Sequence, residues 1–409
     1  MKRFDVIEEK IDLPLGFKVS GIHCGIKKSK KDLGMIYSEK KANAAAVFTT
    51  NKVKAAPVLL SMEHITDNEI QAVIVNSGNA NACTGEKGYS DAMNMAKKTA
   101  SVLGLNKEDV FVASTGVIGV PLPLNNILRG IEDLQNKVNH EDENDLLNLA
   151  QSIMTTDTFP KIYSKDLYID GKKITLTGVA KGSGMIHPNM ATMLSFIMTD
   201  ANISKTALSK ALKSSVDKTF NMISVDGDTS TNDTVLILAN KEANNKEIIE
   251  DTVGFEFFQS ALDEVTLYLA QMIAKDGEGA TKLVEIRVIN AKTEKDAKLI
   301  SKTIAKSNLV KTAIFGEDAN WGRILVAAGY SGANFDPKKV DVWFQSASGK
   351  IQTCCNGSFK EFSEEKAKLI LKEKTIRIIV DLKDGDEKAD SWGCDLSYEY
   401  VKINGGYRT

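Results

Sequence analysis

A threonine that ends a loop and opens an apolar segment is the first candidate for chemistry in this sequence. Thr192 follows the small Ala191 and a glycine-rich stretch, and the apolar run of residues 193–198 comes after it. A threonine hydroxyl is a poor nucleophile near neutral pH and needs a base beside it. If the chain is cut before Thr192, the new α-amine, with a reference pKa of about 7.7–8.0, can be that base. The small Ala191 would leave the peptide carbonyl open to attack during the cut. The junction therefore suits an enzyme with a self-generated N-terminal nucleophile.

The residue pattern alone leaves other roles open for this segment. A threonine at the start of a buried strand commonly serves packing and β-propensity. The stretch Gly182-Ser183-Gly184 could begin a phosphate-binding loop, but the last glycine of the G-x-G-x-x-G pattern is missing and no convincing helix follows. A pairing of His187 with the threonine is a further alternative, which the restriction imposed by Pro188 disfavours.

Short strands and amphipathic helices must position this junction. We predict strands over residues 73–75, 110–112, 174–176, 193–198, 235–238, 286–289 and 376–380, and a half-exposed strand over residues 396–403. A helix is predicted over residues 257–275, because apolar residues at spacings of 4, 3, 4 and 3 fall on one face. Another is predicted over residues 205–222, with Ser204 as its N-cap. The mixture indicates an α/β or α+β protein.

One polar stretch, residues 136–145, has the composition of a linker. It could equally be the acidic first turn of a following helix, because acidic side chains favour a helix N-terminus. We prefer the second interpretation. No internal repeat is evident, and the sequence gives no sharp domain boundary.

Composition limits the classes of protein that this chain can belong to. With 409 residues it is long enough for two or more packed units. A net charge of −2 gives no indication of a nucleic-acid or membrane partner. The five cysteines are scattered and lack zinc-ligand spacing, which indicates a reducing compartment and no metal site. The first residues lack the apolar core of a signal peptide, and no run of about 18 apolar residues occurs. We expect a cytoplasmic protein.

Seven motifs in order along the chain resemble those of the ornithine acetyltransferases, also called bifunctional glutamate N-acetyltransferases. They lie at residues 76–85, 114–119, 155–158, 181–194, 224–233, 276–282 and 316–323, so that the resemblance covers essentially the whole chain. The resemblance implies an α-β-β-α layered α+β fold of the N-terminal-nucleophile type. It also implies self-cleavage between Ala191 and Thr192, which would give an α chain of residues 1–191 and a β chain of residues 192–409.

The resemblance also implies a role for particular residues. Thr192 would carry the acetyl group, and Thr115 with Gly116 would form the oxyanion hole that stabilises the tetrahedral intermediate. The substrate contacts that the family pattern gives are Thr155, Lys181, Thr192, Glu278, Asn404 and Thr409. Thr156 could replace Thr155 if the alignment slips by one residue. Glu278 could hold a substrate ammonium or transfer protons, and the sequence does not choose between these roles.

The activity implied by the resemblance moves an acetyl group from N-acetylornithine to glutamate through an acetyl-threonine intermediate. No metal or organic cofactor is required for such a ping-pong reaction. Some relatives also accept acetyl-CoA as the donor, and the sequence does not decide whether this chain does. The expected assembly is a dimer of cleaved heterodimers, or a larger oligomer. Two alternatives remain: an amidase or aminopeptidase on a similar scaffold, with water as the acceptor, and an uncleaved metabolite-binding or scaffold protein.

Overall fold

The computed structural model describes residues 11–67, 69–140, 142–187 and 193–406. The strands are β1 Phe17–Ile22, β2 Leu33–Phe48, β3 Glu69–Asn79, β4 Val110–Val117, β5 Lys161–Ile169, β6 Lys172–Lys181, β7 Leu194–Thr199, β8 Ile223–Ser224, β9 Thr234–Ala239, β10 Leu283–Ala291, β11 Asp341–Ser346, β12 Gly349–Cys355, β13 Ser358–Phe359, β14 Thr375–Asp381 and β15 Glu387–Cys394. The helices are α1 Ala56–His64, α2 Gly85–Leu103, α3 Leu124–Val138, α4 Asp145–Ile153, α5 Lys205–Lys218, α6 Val253–Lys275, α7 Glu294–Lys306, α8 Asn308–Phe315, α9 Trp321–Gly329, α10 Glu364–Leu371 and α11 Tyr398–Gly406.

The first sheet is built around the long strand β2. Among the described residues it has eight strands, in the order β4-β3-β2-β9-β7-β6-β5 with β1 beside β2. The first half of β2 pairs with β3, and its second half pairs with β9. Between these halves the pairing register with β3 shifts, from Tyr37 to Ala42. Such an irregularity bends a strand and increases its twist. β2 therefore connects two halves of the sheet that can pack over each other.

The two halves of the first sheet share an apolar core. Val73 and Val75 of β3 belong to the same buried cluster as Phe196 of β7 and Leu236 of β9. Because side chains alternate along a strand, the remaining residues of β3 pack on α1, α2 and α3, and those of β9 pack towards α5 and α6. The layers follow the order helix, sheet, sheet, helix. The α-β-β-α arrangement predicted from the sequence is confirmed.

A second sheet lies against the long helix α6. Its order among the described residues is β13-β12-β11-β14-β10-β15-β8. α7 packs on β10 and β15, and α6 contacts these strands as well as β5 and β6 of the first sheet. Buried side chains of α6 thus share one apolar cluster with strands of both sheets. The end of α6 is held from two sides, and the site described below is built at that end.

The structure agrees with most of the strands and helices that were predicted from periodic segments of the sequence. The seven strands predicted over residues 73–380 correspond to β3, β4, β6, β7, β9, β10 and β14, and among their residues only Met193 falls outside, one position before β7. α6 begins earlier than predicted, at Val253 behind the cap residue Thr252, and its five predicted core residues are buried. α5 begins behind Ser204, as predicted, but ends at Lys218, and a single 3-10 turn, Phe220–Met222, follows. α4 begins at Asp145, so only the last residue of the 136–145 stretch lies in an acidic first turn, while residues 136–138 end α3 and the described residues between the two helices are not helical.

The strand predicted over residues 396–403 is wrong. The chain forms helix α11 there, and none of the helix residues is buried. Alternating polarity indicates a strand only when one face can pack on a core. Both edges of the preceding strand β15 are already paired, with β10 and with β8. A local hydrogen bond from the Glu399 N–H to Ser397 Oγ (3.2 Å) instead favours the first turn of a helix.

No helix among the described residues is both long enough and apolar enough to cross a membrane. The cysteines, all of which lie in the described part of the chain, form no disulfide.

Candidate active site

Six residues selected from the sequence line one cavity of about 250 Å³, namely Thr115, Gly116, Thr155, Lys181, Glu278 and Asn404. They come from the end of β4, the loop after α4, the end of β6, the turn after α6, and α11. Thr156, the alternative to Thr155, lines the same cavity. Residues up to 289 positions apart in sequence are therefore brought together, from both sides of the predicted cleavage point.

The wall formed by β4 requires a glycine. Gly116 pairs with Gly78 of β3 and has a φ of +133°. A Cβ atom at this position would lie 2.4 Å from the backbone carbon of Gly78, closer than any side chain can approach. Glycine therefore allows the two strands to approach each other beside the cavity and allows a backbone conformation that other residues rarely adopt.

Lys181 places a buried ammonium at the end of β6. Its Nζ donates a hydrogen bond to Thr115 Oγ1 (3.1 Å). Burial lowers the pKa of Lys181 from its ordinary value, while nearby carboxylates, led by Asp157, oppose this change. Since Lys181 is the donor in the bond to Thr115, the Thr115 hydroxyl can donate its own hydrogen into the cavity. The pair can therefore present both a cation and a hydrogen-bond donor to a ligand.

A buried triad of ion-paired side chains adjoins the end of β6 that carries Lys181. Lys161 of β5 donates to Asp157 Oδ1 (2.7 Å) and Asp276 Oδ2 (2.6 Å), and all three side chains are almost completely inaccessible. Asp157 also accepts hydrogen bonds from the N–H groups of Gly182 (2.7 Å) and Thr155 (2.9 Å). Burial by itself raises the pKa of Asp157, but the ammoniums of Lys161 and Lys181 outweigh it, so the pKa is well below its usual range.

Glu278 enters the cavity from the turn that ends α6. Its N–H donates to the Ser183 carbonyl (2.9 Å), and its carboxylate accepts a hydrogen bond from Asn404 Nδ2 (2.7 Å). A Cβ atom at Gly184 would lie 2.4 Å from the carboxyl carbon of Glu278. Gly184 therefore makes room for this carboxylate, and Glu278 and Lys181 place opposite charges in the same small cavity.

Asp226 is a structural member of the site that the sequence did not single out. It accepts hydrogen bonds from the N–H groups of Met185 (2.6 Å) and Ile186 (2.8 Å), which fixes these two residues of the loop that follows β6. Burial raises the pKa of this carboxyl, although the same hydrogen bonds oppose the change. Burial and the nearby Asp226 carboxylate also raise the pKa of Tyr400, which lines the cavity. The signal in the sequence was that Asp226 lies within one of the seven motifs.

His187 lies outside the cavity, in a separate groove along α7. Its Nδ1 is 3.0 Å from Ser224 Oγ. Burial, together with the positive charges of Lys302 and Lys306, lowers its pKa to about 4. The suggested pairing of His187 with Thr192 stays a prediction, because Thr192 lies outside the described residues.

Three predicted site residues, Ala191, Thr192 and Thr409, lie outside the described residues. The description resumes at Met193, whose carbonyl accepts a hydrogen bond from the Thr234 N–H (2.9 Å). The next residue, Leu194, pairs with Lys181 across β6 and β7. The chain that continues from the predicted nucleophile is thus anchored beside the cavity lysine.

The arrangement can recognise a small zwitterion. A buried ammonium, a carboxylate and several hydroxyl and amide groups converge on a space that suits a metabolite. Within the described ranges there is no cluster of three or more His, Cys, Asp or Glu side chains that could hold a metal ion.

Comparison with known proteins identifies close relatives. The model of the ArgJ family matches residues 18–409. The arginine biosynthesis bifunctional protein ArgJ of Caldanaerobacter subterraneus subsp. tengcongensis is 61% identical, over 99% of this chain and 100% of its own length. The protein of the same name from Thermotoga neapolitana is 56% identical, over 97% of this chain and 100% of its own. A crystal structure of ArgJ from Bacillus halodurans, 45% identical, covers 53% of this chain and 100% of its own, with a TM-score of 0.51.

The ion triad generates a stability prediction. Lys161→Met should lower the free energy of unfolding by about 3–5 kcal/mol, because Asp157 and Asp276 would remain buried without their cation. Chemical denaturation measures this loss. Lys165→Met is the matched control, since Lys165 lies on the same strand and pairs with Glu264 at the surface. The control should lose less than about 1 kcal/mol. Equal losses in the two variants would contradict the role of the triad.

The pH dependence of the same variants provides a second readout. In the wild type the depressed pKa of Asp157 stabilises the fold above its unfolded pKa of about 3.9, and this stabilisation is lost as pH falls through the lower folded pKa. Without Lys161, burial should raise the pKa of Asp157, so its ionised form destabilises the variant most near neutral pH. The stability difference between wild type and variant should therefore shrink as pH is lowered from 7 to about 4. A constant difference would argue against this cause.

Proposed function

This chain belongs to the ArgJ family, and we propose on that premise that it transfers the acetyl group of N-acetylornithine to glutamate in arginine biosynthesis. The observation that carries the proposal is the assembly of Thr115, Lys181, Glu278 and Asn404 around one small cavity. Both substrates have an α-carboxylate, which needs a cation, and ornithine also has a side-chain ammonium, which needs an anion. Lys181 and Glu278 supply these charges from opposite chains of the proposed cleaved enzyme.

We assign the α-carboxylate of the substrate to Lys181 and the ornithine ammonium to Glu278. The pKa of Lys181 is lowered by burial, so a bound carboxylate would restore the stability of its charged form. Glu278 already accepts a hydrogen bond from Asn404, which holds its carboxylate in the cavity. Thr155 and Thr409 complete the proposed substrate contacts. Of these two, only Thr155 lies in the described part of the chain.

Thr192 is the proposed nucleophile, released by cleavage after Ala191. The ordered start of β7 beside Lys181 supports this assignment, because a nucleophile must be held close to the substrate. A second support comes from the Bacillus halodurans chain, which in its full length covers 53% of this chain. Residues 192–409 make up the same share of the present sequence. In the cleavage step Thr192 Oγ attacks the Ala191 carbonyl, the C–N bond between Ala191 and Thr192 breaks, and the nitrogen takes up the hydroxyl proton as the new α-amine. Water then hydrolyses the resulting ester, which gives the Ala191 carboxylate and regenerates the Thr192 hydroxyl.

The transfer proceeds by covalent catalysis in two steps. Thr192 Oγ attacks the acetyl carbonyl and gives its proton to the α-amine of the same residue. The Thr115 hydroxyl and the Gly116 N–H stabilise the oxyanion of the tetrahedral intermediate. The C–N bond then breaks, and ornithine leaves with that proton. Glutamate's neutral amine attacks the carbonyl of acetyl-Thr192 and loses a proton to the α-amine. The bond between the carbonyl carbon and Thr192 Oγ then breaks, the α-ammonium returns the proton to Oγ, and N-acetylglutamate leaves.

We further propose acetyl-CoA as a second acetyl donor, since the relatives that match this chain over nearly its whole length are called bifunctional. No metal or organic cofactor enters the scheme. The proposed assembly is a dimer of α/β heterodimers or a larger oligomer. The unpaired cysteines fit a cytoplasmic location, where thiols stay reduced.

Intact mass spectrometry tests the maturation step. The wild type should give two fragments whose masses sum to the 44.6 kDa chain plus one water, and the larger fragment should begin at Thr192. Thr192→Ala should remain a single chain without activity, because it lacks the hydroxyl that makes the attack. Thr192→Ser keeps a hydroxyl and is the conservative control, which should still cleave. An uncut wild-type chain with full transferase activity would rule out this maturation.

Thr115→Val tests the oxyanion hole. We expect kcat for transfer to fall by about 100- to 1,000-fold with little change in KM, because the hydroxyl acts mainly on the transition state. Steady-state kinetics with N-acetylornithine and glutamate measures the two constants separately. Thr312→Val, an exposed substitution of the same type on α8, is the control and should leave both unchanged. If KM rises and kcat stays constant, Thr115 only positions Lys181 for binding.

A further inference from the structure

A cationic groove lies next to the candidate active site. It is lined by Lys295, Lys298, Lys302 and Lys306 of α7, together with His187 and Thr229, and its volume is about 590 Å³. The four lysines recur at spacings of 3, 4 and 4, which places them on one side of the helix. The opposite side of α7 is buried against β10 and β15, so the row of lysines is fixed in position by the core.

The described residues that line this groove include four lysines and one carboxylate. Glu294 is the one carboxylate among the described residues that line it, and it pairs with Lys298 (2.8 Å). Neither Lys295 nor Lys306 has an ion-pair partner within the described part of the chain. Burial and the positive charge of Lys306 together lower the pKa of Lys302 to about 8. An anion in the groove would relieve the repulsion between these ammoniums.

The groove and the catalytic cavity are separated by a thin ridge. Met185 lines the cavity and His187 lines the groove, so only Ile186 lies between the two lining residues, whose Cα atoms are at most about 7 Å apart along the chain. On the other side of the ridge, Thr229 faces the groove while its neighbour Ser230 faces the cavity. Gly227 allows the contact with α7, because a Cβ atom there would lie only 3.1 Å from Lys306 Cε.

We propose that this cationic groove binds the phosphate groups of acetyl-CoA, so that the acyl arm crosses the ridge and brings its thioester to the catalytic cavity. The proposal rests on the second acetyl donor of the proposed function. Several phosphates on one ligand match a row of lysines better than the single carboxylate of an amino acid does. In the acyl transfer, Thr192 Oγ forms a bond to the thioester carbonyl and the C–S bond breaks. The thiol leaves with the proton that the hydroxyl gave to the α-amine.

N-Acetylornithine has no phosphate and needs no contact with the groove. The two donors should therefore differ in their dependence on α7, although they share the cavity, the nucleophile and the acceptor. This difference lets the groove be tested without disturbing the transfer reaction itself.

The test compares both donors in Lys295→Gln/Lys306→Gln and in a charge-matched control, Lys366→Gln/Lys368→Gln, on the exposed side of α10. In the groove variant, the KM for acetyl-CoA should rise by roughly tenfold or more, the value for one lost charge-assisted contact, while kcat stays within about twofold. Raising the salt concentration should weaken acetyl-CoA use in the wild type more than in the variant. Transfer from N-acetylornithine should be unchanged in every variant.

Titration calorimetry with CoA itself gives a readout that does not depend on turnover. The wild type and the α10 control should bind CoA, and the groove variant should bind it about tenfold more weakly. Equal CoA affinity in all three proteins, or an unchanged KM for acetyl-CoA, would overturn the groove assignment. A wild type that neither binds CoA nor uses acetyl-CoA would overturn it as well. Failure of the N-acetylornithine reaction alone would instead refute the proposed function, because CoA binding would still be measured.

Discussion

The buried contact of Lys161 with Asp157 and Asp276 is the interaction on which the site depends. Removing charges from water is unfavourable, so such a triad persists only if each group is paired and hydrogen-bonded in good geometry. Here the carboxylates also accept N–H groups from Thr158, Gly182 and Thr155. The start of β5, the end of β6 and the end of α6 are therefore fixed relative to one another. These are the elements that carry Lys181 and Glu278 into the cavity.

The same triad sets the electrostatics of the cavity. Burial of Lys181 disfavours its charged form. The negative charge of Asp157 is the largest of the charges that oppose this effect. Asp157 in turn remains ionised because Lys161 and Lys181 lie beside it. The Asp157 carboxylate therefore contributes both to the stability of the fold and to the charge of Lys181, the proposed substrate contact. A protein that needed only the fold could replace the triad by apolar residues, whereas a cation exposed to the cavity needs a buried counter-charge behind it.

Periodic features of the fold were predictable from the sequence, and long-range electrostatic ones were not. The apolar face of α6 and the strands of the first sheet follow from local patterns that burial enforces. The Lys161–Asp276 pair joins residues 115 positions apart and leaves no local pattern. The same limit explains the error at residues 396–403, where alternation was present but both edges of β15 were occupied. The six described site residues were found through the family resemblance, five of them within its motifs, and their convergence required the fold.

The loop of residues 182–187 borders both the cavity and the groove, and several contacts hold it in place. Residues 182–187 supply a turn beside Lys181, a space for Glu278 at Gly184, and two N–H groups that bind Asp226. Asp226 belongs to the 226–230 segment, which borders both spaces. A shift of this loop would therefore move the cavity wall and the groove wall together. If acetyl donors of very different size are to deliver their acetyl group to one nucleophile, the wall between their binding regions must be thin and rigid. The paired N–H groups on the half-buried Asp226 carboxylate provide that rigidity within a few residues.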